Sequence, residues 1–265
     1  MNGYWIKPGA ILVGARLQDA SLRDFDLEHI NLTEANLTAA DFTGANLKSA
    51  CLLNAVAFKG SHAFLKDSSP TYTRGILFNG ANLEYANLQG AYFLLAEFKD
   101  ANLTGANLSR TDFGANFTGA NLTGANLTGA KIRGIFALSN LTGANLTEVD
   151  FTGASLRDAN LLRANLTKAN LSQVDFTGAN LKNSNLSRAN LSRAIFTYAN
   201  LEGANLEGPS PYLGGANLTG AYLVGANLKD ANLKYANLTG ANLADSYLIG
   251  TNLAGATMPD GTIHD

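Results

Sequence analysis

From Leu12 onward a large apolar residue returns at every fifth position: Leu17, Leu22, Leu27, Leu32, Leu37, Phe42, Leu47 and Leu52. The frame resumes from Phe78 to Phe113, from Phe117 to Ile132, from Phe136 to Leu206 and from Leu213 to Leu253, giving 45 such centres. A small residue, mostly Ala, stands two positions before each centre, and Asn mostly stands one before it. Thr, Ser or Lys tends to follow and then often Gly, as from Ala120 to Gly124. A period of five fits neither standard element. On an α-helix five residues advance ~500°, so successive leucines would scatter by ~140° around the axis. On a flat strand an odd spacing sends alternate leucines to opposite faces. To aim every centre inward, the backbone must turn once per repeat. Glycine two positions after the centre suits a type II turn, which needs φ > 0 at its third residue. Where Arg, Lys, Glu or Tyr stands there, a different turn type is expected. The pattern predicts a closed coil of short extended pieces with Leu and Phe inside and Ala beside them. Leu166 and Phe176 should point inward, and Asn165, Thr167 and Lys168 outward.

Ala-Asn-Leu-Thr-Gly and its variants resemble the pentapeptide-repeat proteins from about Leu12 to Leu253. The resemblance implies an all-β fold, a right-handed quadrilateral β-helix with four repeats per coil, in which residues 20 apart stack. The 45 centres would make about 11 coils in one domain spanning residues 1–265, a rod roughly 50 Å long at the ~4.8 Å spacing of neighbouring strands. The segment from Ala256 to Asp265 is similar to the closing segment of cyanobacterial members.

The frame breaks in four places. Between Leu52 and Phe58 it slips by one residue, and Ala63, Ser68 and Thr73 then hold central positions that they cannot fill as leucine does. Residues 60–76, with Ser-Ser-Pro at 68–70, read as an external loop; the alternative is a degenerate coil still wound on the helix. Single-residue deletions between Phe113 and Phe117 and between Ile132 and Phe136 should tighten corners. Pro209-Ser210-Pro211 adds two residues between Leu206 and Leu213, a corner bulge over 207–212. Tyr92, Leu94 and Leu95 form an unusual outward apolar group, which Phe64, Leu65 or Tyr72 from the loop could cover. Tyr4, Trp5 and Ile6 should cap the first coil; Met258 and an inward Ile263 should close the last, around a turn at Pro259-Asp260-Gly261.

Composition narrows the function. Only 15% of residues are charged, below the ~25% usual for globular domains, so Asn, Ser and Thr supply the polar surface. The net charge of −2 favours neither nucleic acid nor basic partners. One cysteine, Cys51, excludes an internal disulfide framework and a multi-thiolate metal site. It takes an outward Asn position with no base in its repeat, an ordinary thiol. His29, His62 and His264 share no ligand spacing. Gly119 to Gly124 lacks the Lys and Ser or Thr of a phosphate loop. No nucleophile, base and oxyanion hole assemble, so neither enzyme activity, a cofactor nor a small-molecule substrate is expected. The apolar stretch at Ala10–Ala15 is too short for a signal-peptide core or a membrane span. The many Asn-Leu-Thr and Asn-Leu-Ser triplets would be glycosylation acceptors along a eukaryotic secretory route. A cytoplasmic, bacterial protein is the expectation.

A protein-binding scaffold, regulatory in role, is the function that fits. The partner is then another protein, the chain itself being a monomer or an end-to-end dimer. The alternative is a DNA mimic that protects a type II topoisomerase, as the resemblance to acidic family members would imply. Against it, Asn rather than Asp dominates before the centres, with Asp at Asp26, Asp41, Asp112, Asp150 and Asp175. A third possibility is a structural protein that stacks through its coil ends. Residues 157–193 hold six basic groups (Arg157, Arg163, Lys168, Lys182, Arg188, Arg193) against Asp158 and Asp175, or +4. Residues 202–265 hold Lys229 and Lys234 against Glu202, Glu207, Asp230, Asp245, Asp260 and Asp265, or −4. Lys168 and Arg188, 20 apart, should stack, with Arg163 and Lys182 on the neighbouring face completing one basic edge. With Phe64 and Tyr72 these four are the candidate protein-binding residues. The bland alternative is a solvated ladder partly neutralised by Glu148.

Overall fold

The computed structural model describes residues 4–57, 75–208 and 213–265. The chain winds as a right-handed quadrilateral β-helix whose four faces are ladders of parallel pairs. We number the faces so that Asn165, Asn170, Asp175 and Asn180 stand on faces 1, 2, 3 and 4. Face 1 passes through eleven consecutive pairings from Ile11 to Tyr247.

Each repeat makes three backbone bonds, and Leu166 shows them. Its N–H donates to the carbonyl of Asn185 one coil on (2.7 Å), the N–H of Asn185 donates back to Ala164 (2.9 Å), and the N–H of Ala169 closes the turn on the Leu166 carbonyl (3.0 Å). The turn residue also donates across coils, as Lys168 does to Ser187 (3.0 Å). Centres from Leu12 to Leu238 are buried, Leu166 and Phe176 completely, while Asn165 and Thr167 are half-buried and Lys168 is exposed.

The third turn residue has positive φ whether or not it is glycine: Glu34, Tyr85, Arg163 and Lys168 lie at 57° to 58°. This corrects the expectation of a second turn type. The coils above and below fix the backbone path, so the side chain accepts a left-handed conformation costing about 1–2 kcal/mol.

The stacking step records every break in the frame. It is 20 residues where the repeat is regular, 36 from Asp41 to Leu77 and from Val56 to Tyr92, 19 from Asn102 to Asn121, and 22 from Ile195 to Asn217. Ala57 keeps the frame of Leu52, is buried, and pairs with Phe93, so the slip to Phe58 does not occur at that position. The expected loop lies outside the described residues except for Gly75 and Ile76, and Ile76 is fully buried. Of the expected bulge, only Glu207 and Gly208 are described.

The two deletions do not tighten corners. A step of four from centre to centre, with only three residues between, leaves no room for the turn, and the chain crosses from face 2 to face 3 in continuous extension. Strands β2 (Tyr92–Glu97), β3 (Asp112–Asn116) and β4 (Lys131–Ile135) stack there, above β1 (Val56–Ala57). β2 is one residue longer, and the register shift falls between Phe93 and Ala96, where Leu94 is half-buried and Leu95 is 51% exposed. The expected cover from Phe64, Leu65 or Tyr72 lies outside the described residues.

Inside face 3, Phe42, Phe78, Phe98, Phe117 and Phe136 form a column with centroids 5.1, 4.8, 4.7 and 4.7 Å apart. The column runs straight past the 36-residue step. At the start of the rod Tyr4 and Ile6 pack on the core, but Trp5 is 84% exposed and caps nothing. Near residue 265 the turn at Pro259-Asp260-Gly261 forms (Gly261 N–H to Met258 O, 2.9 Å), and it reverses the chain. Thr257 and Ile263 then pair antiparallel, which leaves Ile263 62% exposed rather than inward. Met258 packs against the core as expected.

Candidate functional site

Faces 1 and 4 are almost pure asparagine, while faces 2 and 3 carry most of the departures from the repeat. Face 1 holds Asn87, Asn107, Asn126, Asn145, Asn165, Asn185, Asn205 and Asn227 in one unbroken ladder. Each Oδ1 folds back onto its own loop: that of Asn165 accepts from the N–H (3.1 Å) and the hydroxyl (2.6 Å) of Thr167. The Nδ2 donates along the ladder, Asn205 to Asn185 at 3.3 Å and Asn227 to Asn205 at 3.2 Å. The ladder is therefore neutral, flat and internally bonded, and charge stands only along its two edges.

Those edges are the turns. Lys168 and Arg188 stack on the edge between faces 1 and 2, and Arg163 and Lys182 on the edge between faces 4 and 1. The four do not form one basic edge as expected. They flank face 1, with Asn165 and Asn185 between them, because Arg163 and Lys182 precede those asparagines in the coil while Lys168 and Arg188 follow them. Lys168 Nζ lies 3.4 Å from Glu148 and Lys182 Nζ lies 2.8 Å from Glu202, each one coil away. Arg163 and Arg188 have no ionic partner among the described residues. Phe64 and Tyr72 lie outside those residues.

One coil further on, the sign of both edges reverses. Glu202 stands on the edge of Arg163 and Lys182; Glu207 and Asp230 stand on the edge of Lys168 and Arg188. Lys229, the one cation in that stretch, is held 3.5 Å from Glu207. Thr167, Ser187, Arg188, Asn205, Glu207 and Asp230 line a recess of about 410 Å³ at the reversal.

Of the charges paired at the ladder step, Glu148 with Lys168 was read from the sequence; Lys182 with Glu202 and, 18 apart, Arg23 with Asp41 and Arg157 with Asp175 were equally legible and were missed there. Cys51 is half-buried on face 1, its Sγ 3.2 Å from the hydroxyl of Thr33. His29 lies beside Glu28 at 3.7 Å and His264 beside the carbonyl of Asp265, far apart in the chain; His62 is outside the described residues. Among the described residues no three metal-ligating side chains converge, and no helix is long and apolar enough to cross a membrane.

Among curated proteins none matches. Among solved structures, HetL, a pentapeptide repeat protein involved in heterocyst differentiation regulation in the cyanobacterium Nostoc, is 29% identical over 97% of this chain and 92% of that one, with a TM-score of 0.40. Rfr23 from the cyanobacterium Cyanothece is also 29% identical, over 53% of this chain and 91% of its own, with a TM-score of 0.20. QnrB1, a plasmid-mediated fluoroquinolone resistance protein, is 19% identical over 73% and 87%, with a TM-score of 0.37. The pentapeptide-repeat family itself matches in 8 copies, over residues 10–52, 77–113, 114–136, 135–173, 175–208, 212–246 and 236–260. With matched segments following the five-residue frame on both sides of the long insertion, the chain belongs to the pentapeptide-repeat family.

Proposed function

We propose that this protein is a non-enzymatic, regulatory protein-binding scaffold whose docking surface is face 1 with its two basic edges. The observation that carries this reading is the placement of Arg163, Lys168, Lys182 and Arg188 around a flat neutral ladder, with neither arginine in an ion pair among the described residues. Guanidinium groups held at fixed height on a rigid turn suit carboxylates, which they bind in a bidentate fork. An acidic protein surface is the matching partner; nucleic acid fits less well because aromatic side chains for base stacking are scarce in these coils. The neutral ladders likewise favour a scaffold over a polyanion mimic of DNA. Capture from lysate at low salt tests the reading. K168E/R188E should lose the captured acidic protein, and raising salt should weaken capture by the parent. Unchanged capture by the double variant, or protection of a type II topoisomerase by the parent in a supercoiling assay, would overturn it.

A further inference from the structure

The two edges of face 1 carry mirrored charge. Over two coils they hold four cations, Arg163 and Lys182 on one side, Lys168 and Arg188 on the other. Over the next two they hold Glu202, Glu207 and Asp230, with Lys229 already engaged by Glu207. Nothing charged stands on the face between them, and the reversal falls between the coils of Asn185 and Asn205.

We propose that face 1 binds a second copy of this chain, antiparallel and face to face, about a two-fold axis lying across the face between Asn185 and Asn205. The inference rests on the reading that the basic edges bind protein and supplies that partner's identity. A two-fold axis in that place exchanges the coils below the reversal with those above it. Lys182 then meets the partner's Glu202, Arg188 the partner's Glu207, and Lys168 the partner's Asp230, each pair formed twice. This is the self-complementarity an isologous contact requires, the same patch serving on both subunits. The opposite orientation, two rods parallel with faces opposed, would set cations against cations and is excluded by repulsion. Registers displaced by two coils lose these pairs for the same reason.

The recess at the reversal supports the same geometry. It opens between Arg188 and Asp230, and in the paired arrangement the recesses of both copies face each other across the axis. Arg188, which has no ionic partner among the described residues, can extend there without displacing any pair formed among them. Lys168 and Lys182 keep their exposed pairs with Glu148 and Glu202 in the free chain; such pairs are worth little in water, so a second carboxylate can share each cation. Neutral asparagine ladders meeting between the edges bury no unpaired charge.

The test is sedimentation equilibrium of the intact chain, at roughly 20 mM and 500 mM salt, where screening lengths differ several-fold. The parent should be a dimer at low salt and dissociate at least tenfold more readily at high salt. K168E/R188E alone should be monomeric, and E207K/D230K alone should be monomeric, because each homodimer would oppose like charges. An equimolar mixture of the two should regain a heterodimer, since the reversed edge of each then meets a complementary edge of the other. Circular dichroism of each variant shows that the coil is intact. A parent that stays monomeric at about 100 µM and low salt, or a dimer that neither variant disturbs, or a mixture that fails to associate, overturns the proposal. If the parent is monomeric yet K168E/R188E still abolishes capture of an acidic protein, self-association falls while the docking reading stands. If the parent dimerises as described and capture is unaffected by the reversal, the docking reading falls and self-association stands.

Discussion

Glycines that look interchangeable in the repeat face quite different surroundings. Gly153, with φ of 68°, has open space where a side chain would begin. At Gly178 a Cβ would meet the carboxylate tip of Asp158 one coil below, an atom that can turn aside. At Gly134 it would run into the backbone carbonyl of Ala115, on the neighbouring strand β3, and nothing there can move without breaking the pairing of β3 with β4. Gly153→Asn should therefore change unfolding free energy by less than about 0.5 kcal/mol, since asparagine tolerates the left-handed turn. Gly134→Ala should cost about 1–3 kcal/mol, the range of an overpacked core. Denaturant titration of both variants checks the contrast; equal costs would mean that the close approach has no energetic weight. None of this was legible in the sequence, because a glycine is written the same way whether it serves a turn or a close backbone approach. Nor was the positive φ of Arg163 or Lys168 legible: the ladder above and below imposes it against local preference.

On the ladders, asparagine both accepts from its own loop and donates to the next rung. Aspartate can only accept, so it needs a donor from elsewhere. At Asp175 the Arg157 guanidinium supplies it at 2.9 Å, and at Asp41 Arg23 does so at 3.3 Å. Partial burial pushes the Asp175 carboxyl up, but the hydroxyl and amide of Thr177 and the charge and hydrogen bond of Arg157 outweigh it and hold it below the ordinary 3.8. Asp41 is lowered in the same way, burial opposing Thr43 and Arg23. A carboxyl whose folded value is depressed stabilises the fold fully above its unfolded value and loses that contribution as pH falls through the folded one. Between about pH 5 and pH 2 the parent should thus lose more stability than Asp175→Asn. Melting curves across that range check it, and parallel curves would show that Asp175 contributes nothing in the folded state. The inward half of each rung was readable from the five-residue period alone. The charged half needed the 18- and 20-residue offsets, which the period implies once four repeats make a coil.

The whole rod is an account of insertions and deletions that leave stacking intact. Three of the four irregularities, the 36-residue steps and both deletions, fall where the chain passes from face 2 to face 3. The 36-residue step exceeds the regular 20 by 16 residues. Removing residues 59–74 would leave Val56-Ala57-Phe58-Gly75-Ile76-Leu77-Phe78, a regular repeat with Gly75 in the turn position. The shortened chain should fold with an unchanged far-ultraviolet dichroism spectrum and a melting temperature within a few degrees of the parent; collapse of the spectrum would show that the segment holds the coils together. The closed coil with its inward centres was legible in the period, the four faces came from the resemblance to the family, and the breaks showed as interruptions of the frame, the first of them set one position early. How the breaks are accommodated was not legible, because a count of residues between leucines does not say whether the chain turns, extends or leaves the coil. The backbone bonds between coils have a mechanical consequence. They lie along the rod, with Leu166 joined to Asn185 and Asn185 to Ala164 across a single coil step. Tension applied at the two ends therefore loads one coil boundary after another, in series, and never all of them in shear. The rod gives way by peeling, each regular coil releasing about 65–70 Å of chain and the long step nearly twice that, so that under load the molecule pays out in unequal lengths set by its own stacking register.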